Sequence, residues 1–126
     1  MLVLIVDDTP AISALIALTI GRQEGWDTEI ASDGVEGLAK ALNFLPDLII
    51  SDIEMPRMSG LNLLREIRHN IALKDTPVIL MSGAIDQEEK REEATERGAN
   101  AFLAKPFNLE VLLETVQRVI LGEQLL

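Results

Sequence analysis

The sequence predicts an α/β domain, a doubly wound five-stranded parallel sheet with helices on both faces. Three observations carry this prediction. Short runs rich in Val, Ile and Leu alternate five times with longer segments patterned as helices. The central run, Leu48-Ile49-Ile50, is continuously apolar rather than alternating, as expected of a strand covered on both faces. The 126 residues fit one compact domain, 1–126, that can bury enough surface to fold without disulfides; there is no cysteine to form one.

Each element has a local reason. Leu2 to Val6 is the first strand. Thr9 is placed to cap the next helix, and Pro10 suits its first turn, where a missing N–H costs nothing. Ile12, Leu15, Ile16 and Thr19 then recur at helical spacing until Gly21 and Gly25 break the pattern, and Thr28 to Ala31 forms a second strand. Asp33 starts a helix to about Phe44, with Val35, Leu38, Ala39 and Leu42 on one face, and Pro46 stops it. The Leu48-Ile49-Ile50 strand follows. Beyond a loop with Pro56 and Gly60, Leu61, Leu64 and Ile67 or Arg68 mark a third helix. Val78 to Met81 is the fourth strand, a charged helix runs from about Asp86 to Arg97, and Ala101 to Leu103 is the fifth strand. The last helix, about Leu109 to Leu121, turns Leu112, Val116, Val119 and Ile120 inward.

Right-handed crossovers restrict such a chain to a few topologies, among them the flavodoxin-like order 2-1-3-4-5. In these sheets ligands bind beyond the carboxyl ends of the strands. Acidic residues number 21 against 11 basic, a net charge of -10, which argues against direct nucleic-acid binding. No apolar stretch is long enough for membrane insertion, and Met1 to Val6 is too short for a secretory core; the expected location is cytoplasmic.

The strand ends concentrate chemistry at one edge. Asp7 and Asp8 follow strand one and Asp52 follows strand three. In the order 2-1-3 these strands are neighbours and the three carboxylates converge. Crowded carboxylates repel one another, which raises pKa values or calls for a cation. Mg²⁺ suits such a site, since it takes one or two carboxylates and leaves positions for phosphate oxygens. Taken singly, Asp7 or Asp8 reads better as a helix cap, and Asp52 reads equally well as an ordinary loop residue. Strand four ends in Met81-Ser82-Gly83 and strand five in Ala104-Lys105-Pro106, adding a hydroxyl and an ammonium. An aspartate can form an aspartyl phosphate, and phosphoryl transfer needs mainly in-line positioning and charge neutralisation.

With these residues in place, the chain resembles the receiver domain of two-component response regulators, the CheY-like family. The resemblance rests on Leu4-Ile5-Val6-Asp7-Asp8, Asp47 to Asp52, Met55-Pro56-Arg57-Met58-Ser59-Gly60, Val78 to Ser82 and Ala104-Lys105-Pro106-Phe107. It implies Asp52 as phosphoacceptor and Asp8 with Asp52 as direct Mg²⁺ ligands. Asp7 would act largely through water, and the main-chain carbonyl of Glu54 would complete the set. It further implies that Lys105 pairs with the phosphoryl group or the acceptor carboxylate, that the Lys105–Pro106 bond is cis, and that Ser82 and Phe102 form a switch pair. Ser82 stands where threonine is commoner, and Glu54 and Ala84 occupy positions that tune phosphoryl lifetime in the family.

The resemblance also implies a partner histidine kinase or histidine phosphotransfer protein, and a downstream protein target or output domain read by the face of helix four, strand five and helix five. Helix four, rich in Glu with Ala94 among its few apolar residues, suits a movable element. Helix one is apolar beyond its inward face through Ala11, Ala14, Ala17 and Leu18, a strip suited to docking. The domain is then a signalling module rather than an enzyme. Two other classes are weighed. A phosphohydrolase would carry a second aspartate where Glu54 stands, and a cap that is missing between these strands. A receiver-like interaction module acting without phosphorylation does not require Asp7, Asp8, Asp52, Ser82 and Lys105 to be intact. No output domain lies within the chain, and Leu125-Leu126 suggests a continuing helix or a partner contact.

Overall fold

A computed structural model describes residues 1–126. Its strands are β1 (Leu2–Val6), β2 (Asp27–Ala31), β3 (Leu48–Asp52), β4 (Val78–Ser82) and β5 (Ala101–Ala104). Between and after them run α1 (Pro10–Gly21), α2 (Gly34–Phe44), α3 (Gly60–His69), α4 (Gln87–Glu96) and α5 (Leu109–Ile120). All strand pairs are parallel, in the order β2-β1-β3-β4-β5. The expected sheet and its flavodoxin-like order are both present.

Side chains alternate along each strand, so the sheet divides the interior in two. Leu4, Val6, Ile49, Leu80 and Phe102 pack with Leu61, Leu63, Leu64 and Ile67 of α3, Ala41 of α2 and Ala94 of α4. Val3, Ile5, Ile50, Ile79 and Met81 pack on the other face with Ile16 and Ile20 of α1 and Leu112, Val116 and Val119 of α5. Asp33, Ser59 and Asn108 cap α2, α3 and α5 by accepting from the amides of Glu36, Asn62 and Val111.

Four sequence expectations need correction. Thr9 occupies the cap position of α1, but its side chain makes no capping bond; its carbonyl accepts from Ile12 and Ser13 instead. In α1, Leu15 is exposed, and the buried positions are Ser13, Ile16 and Ile20. In α2 the Val35–Leu38–Ala39–Leu42 face meets the core only through Leu38; the buried positions are Gly34, Gly37 and Ala41. Close approach explains this: a Cβ on Gly37 would lie 3.0 Å from Val6 Cγ2, so only a small residue lets the helix reach the sheet. Finally, Leu125 and Leu126 turn back onto their own chain. Gly122 (φ +93°) reverses the backbone, the Leu125 amide donates to the Asn100 carbonyl at 2.8 Å, and Leu126 packs against the α3 side of the core.

Candidate functional site

The parallel register brings the carboxyl ends of the strands to one edge. Val6 pairs with Ser51, Asp52 with Met81 and Ser82 with Ala104, so Asp7, Asp52, Ser82 and Lys105 all leave the sheet together. Carboxylate oxygens of Asp7, Asp8 and Asp52 lie within 4.8 Å of one another, as the sequence predicts. Asp7 and Asp52 are buried and Asp8 is exposed.

These carboxylates differ in how they are satisfied. Asp7 Oδ1 accepts from the Thr9 amide at 2.8 Å, and its Oδ2 from Lys105 Nζ at 3.0 Å. Asp52 Oδ2 lies 3.3 Å from the same ammonium, while Asp52 Oδ1 is buried with no hydrogen-bond partner. An orphaned anionic oxygen costs free energy unless a donor or cation meets it. Together with the two neighbouring carboxylates, it makes a donor set of hard oxygens that fits Mg²⁺.

Burial pushes the Asp52 carboxyl up to about 6; the Lys105 charge opposes that rise, and the charges of Asp7 and Glu54 add to it. For Lys105, burial works against the ammonium, but the Asp7 hydrogen bond and the Asp52 charge outweigh it and hold its pKa above the ordinary value. Lys105 is therefore a fixed positive charge between two carboxylates. The bond from it to Pro106 is cis.

The local fold holds Asp52 from behind. The Gly60 amide donates to the Ile53 carbonyl at 2.9 Å, and a Cβ on Gly60 would overlap the Asp52 carbonyl. Position 60 thus requires glycine for close backbone approach. Beside it, Arg57 (φ +65°) reaches Asp33 at the start of α2 with Nε at 2.8 Å and Nη2 at 2.6 Å, tying the loop after β3 to the neighbouring helix.

Ser82 is fully buried, and its hydroxyl donates to the Glu54 carboxylate at 2.9 and 3.0 Å. Phe102 is buried against the α3 side of the core, with the Arg91 guanidinium 4.8 Å from its ring centroid. The sequence reading assigned Glu54 a main-chain ligand role and a place where the family tunes phosphoryl lifetime, but had no signal that its side chain reaches Ser82. It also missed Gln87, the first residue of α4, whose amide donates to the carbonyls of Ser82 (3.1 Å) and Lys105 (3.3 Å). His69, the only histidine, is exposed on α3 away from these groups.

A doubly wound sheet that gathers an acidic cluster, a hydroxyl and a lysine at its carboxyl edge is the arrangement that the receiver-domain resemblance leads one to expect. The sequence matches the response regulator receiver domain family over residues 3–117, and the chain belongs to that family. Among solved structures, chemotaxis protein CheY4 of Vibrio cholerae is 40% identical, with a TM-score of 0.85 over 94% of this chain and 97% of that one. A CheY-like receiver domain protein from Methanospirillum hungatei JF-1 is 31% identical, with a TM-score of 0.87 over 96% and 94%. Among curated proteins, the DNA-binding dual master transcriptional regulator RpaA of Synechocystis sp. is 33% identical over 118 residues, covering 94% of this chain and 48% of RpaA. Response regulator ArlR of Staphylococcus saprophyticus is 34% identical over 118 residues, 94% of this chain and 51% of ArlR. The chain spans about half the length of these curated relatives. It is a receiver domain of the two-component response regulator family, with the CheY-like fold.

Proposed function

We propose that Asp52 accepts a phosphoryl group from the phosphohistidine of a histidine kinase or histidine phosphotransfer protein, and that this resets the face formed by α4, β5 and α5 for a downstream target or output domain. The observation that carries the reading is Asp52 itself: a buried carboxylate with one free oxygen, beside the Asp7–Asp8 pair and 3.3 Å from the Lys105 ammonium. A carboxylate oxygen of Asp52 forms the new O–P bond as the donor's P–N bond breaks, and the histidine leaves with the electron pair. Lys105 stands beside the acceptor to balance charge on the incoming oxygens, and Ser82 offers a hydroxyl from the next strand. Asp8, Asp52 and the Glu54 carbonyl would hold Mg²⁺, with Asp7 acting through water. When bound, the ion supplies charge neutralisation among the carboxylates and phosphoryl oxygens.

The 126 residues are read as one receiver unit that turns over no substrate of its own and works in the cytoplasm. The absence of cysteine fits a reducing compartment, and no helix is long and apolar enough to cross a membrane. The net charge of -10 disfavours direct nucleic-acid binding by this domain. For the phosphodonor partner, the exposed strip Ala11, Ala14, Leu15 and Leu18 on α1 is the docking surface; beside it a groove runs between α1 and Pro106–Phe107. Leu18 is 55% exposed, so Leu18→Arg leaves the core intact and is expected to slow transfer from the partner without slowing phosphorylation by acetyl phosphate.

Incubation with Mg²⁺ and acetyl phosphate, followed by intact mass, tests the reading. One added phosphoryl group, dependent on Mg²⁺ and lost in Asp52→Asn, is the expected result. No adduct and no Mg²⁺-dependent binding of beryllofluoride would leave an interaction module that works without phosphorylation.

A further inference from the structure

The hydroxyl assigned to the phosphoryl group is already engaged. Ser82 Oγ sits 2.9 Å from Glu54 Oε1 and 3.0 Å from Oε2, so its single proton is shared between the two carboxylate oxygens. The remaining capacity of Oγ is partly taken by the Ala84 amide, which donates to it at 3.1 Å. Ser82 is fully buried, whereas Glu54 is exposed and reaches in from the loop after β3. At position 84, a methyl group offers no side chain to compete for the hydroxyl.

Resting on the receiver reading above, we propose that the Glu54 carboxylate is a built-in competitor for the switch hydroxyl: it latches Ser82 in the unmodified domain, and a phosphoryl group on Asp52 must displace it. A proton directed at both oxygens of the Glu54 carboxylate has to leave them before it can point at a phosphoryl oxygen on Asp52. The arriving group brings nearly two negative charges and three acceptor oxygens, which both repel Glu54 and replace it as the partner of Ser82. Because Glu54 is exposed, its released carboxylate is solvated at little cost. The latch therefore sets a threshold, holding the domain in its resting form against weak occupancy of the acceptor. Glu54 acts through Ser82 and is a positioning residue.

Reach and charge are separable here. Glu54→Ala removes both, whereas Glu54→Asp keeps the charge one methylene short of the hydroxyl. Beryllofluoride, a phosphoryl mimic, is titrated by calorimetry at saturating Mg²⁺ into the wild type, these two variants, Ser82→Ala, the Glu54→Ala/Ser82→Ala double variant and Asp52→Asn. Losing one competing hydrogen bond is worth about fivefold, so Glu54→Ala and Glu54→Asp should each bind about fivefold more tightly. In the Ser82→Ala background the Glu54→Ala gain should fall below about twofold, since no hydroxyl is left to latch. The Ala84 amide resonance should also move in Glu54→Ala and Glu54→Asp before any ion is added. The proposal is overturned if Glu54→Asp binds like the wild type while Glu54→Ala gains, which is plain charge repulsion. Equal gains with and without Ser82, or no gain at all, overturn it too. If the wild type binds beryllofluoride no better than Asp52→Asn, the receiver reading itself fails and the latch falls with it.

Discussion

Helices α3 and α4 are both ten residues long and pack on the same face of the sheet, yet they are attached to it in opposite ways. α3 buries Gly60, Leu61, Leu63, Leu64 and Ile67 and carries a side-chain cap at Ser59. α4, with the sequence QEEKREEATE, buries only Ala94 and has no side-chain cap. It is held instead by polar and edge contacts: the Gln87 amide on the ends of β4 and β5, and Arg91 over the Phe102 ring. α3 fixes the backbone behind Asp52 through Gly60, and α4 begins beside Ser82. The firm helix positions Asp52, and under the proposed function the loosely seated one is the element that responds to its modification. Local stability is spent where geometry matters and withheld where a response is needed.

The largest effect that could break this comparison is in the core. Leu64→Ala should cost about 3 kcal/mol of unfolding free energy, because it removes a fully buried side chain and leaves a cavity. Any α4 surface change such as Glu92→Ala should stay within about 0.5 kcal/mol. Denaturant melts of both variants check the contrast, and comparable losses would refute it.

Next is Asp52, whose burial is itself destabilising. With metal removed, Asp52→Asn should stabilise the domain at pH 7 by up to about 3 kcal/mol, from a carboxyl raised to about 6 against an ordinary 3.8. The sign follows from proton uptake. Between the two values the folded chain holds the proton that the unfolded chain has lost, so wild-type stability falls as pH rises through that window. The advantage of Asn should therefore vanish below about pH 4 and be complete above about pH 6. Thermal melts in EDTA across that range read it directly.

Gly60→Ala should cost about 2 kcal/mol, since its Cβ overlaps the Asp52 carbonyl and either helix or strand must shift. It should also slow phosphorylation by acetyl phosphate. The smallest effect sharpens the other side: Arg91→Ala, losing a cation–π contact on the α4 face, should cost below about 1 kcal/mol. It should nonetheless speed hydrogen exchange in α4 while leaving α3 unchanged.

Most of the architecture was legible because strand burial is written as apolar runs and the candidate site residues sit at their ends. Asp7, Asp8, Asp52, Ser82 and Lys105 needed only the strand order to be brought together, and the structure places them at one edge. What escaped was decided by packing distance rather than by hydrophobicity. α2 buries Gly34 against Met58, Gly37 against Val6, and Ala41, so its larger apolar residues Val35 and Leu42 are exposed, the reverse of what a hydrophobic pattern suggests. Long polar side chains escaped too. Nothing in the spacing of Glu54, Gln87 or Arg57 tells which group each reaches, because these partners lie between 5 and 28 residues away. The ending at Leu125-Leu126 reads as an unpaired apolar tail until the reversal at Gly122 returns it to the domain.

The claim that a fixed acceptor drives a loosely seated helix is tested most directly by hydrogen exchange of the Mg²⁺-loaded domain, with and without beryllofluoride. Amides of residues 83–96 should change protection on addition, while those of α3, residues 60–69, should not. Unchanged exchange in α4, or equal changes in both helices, would contradict the account.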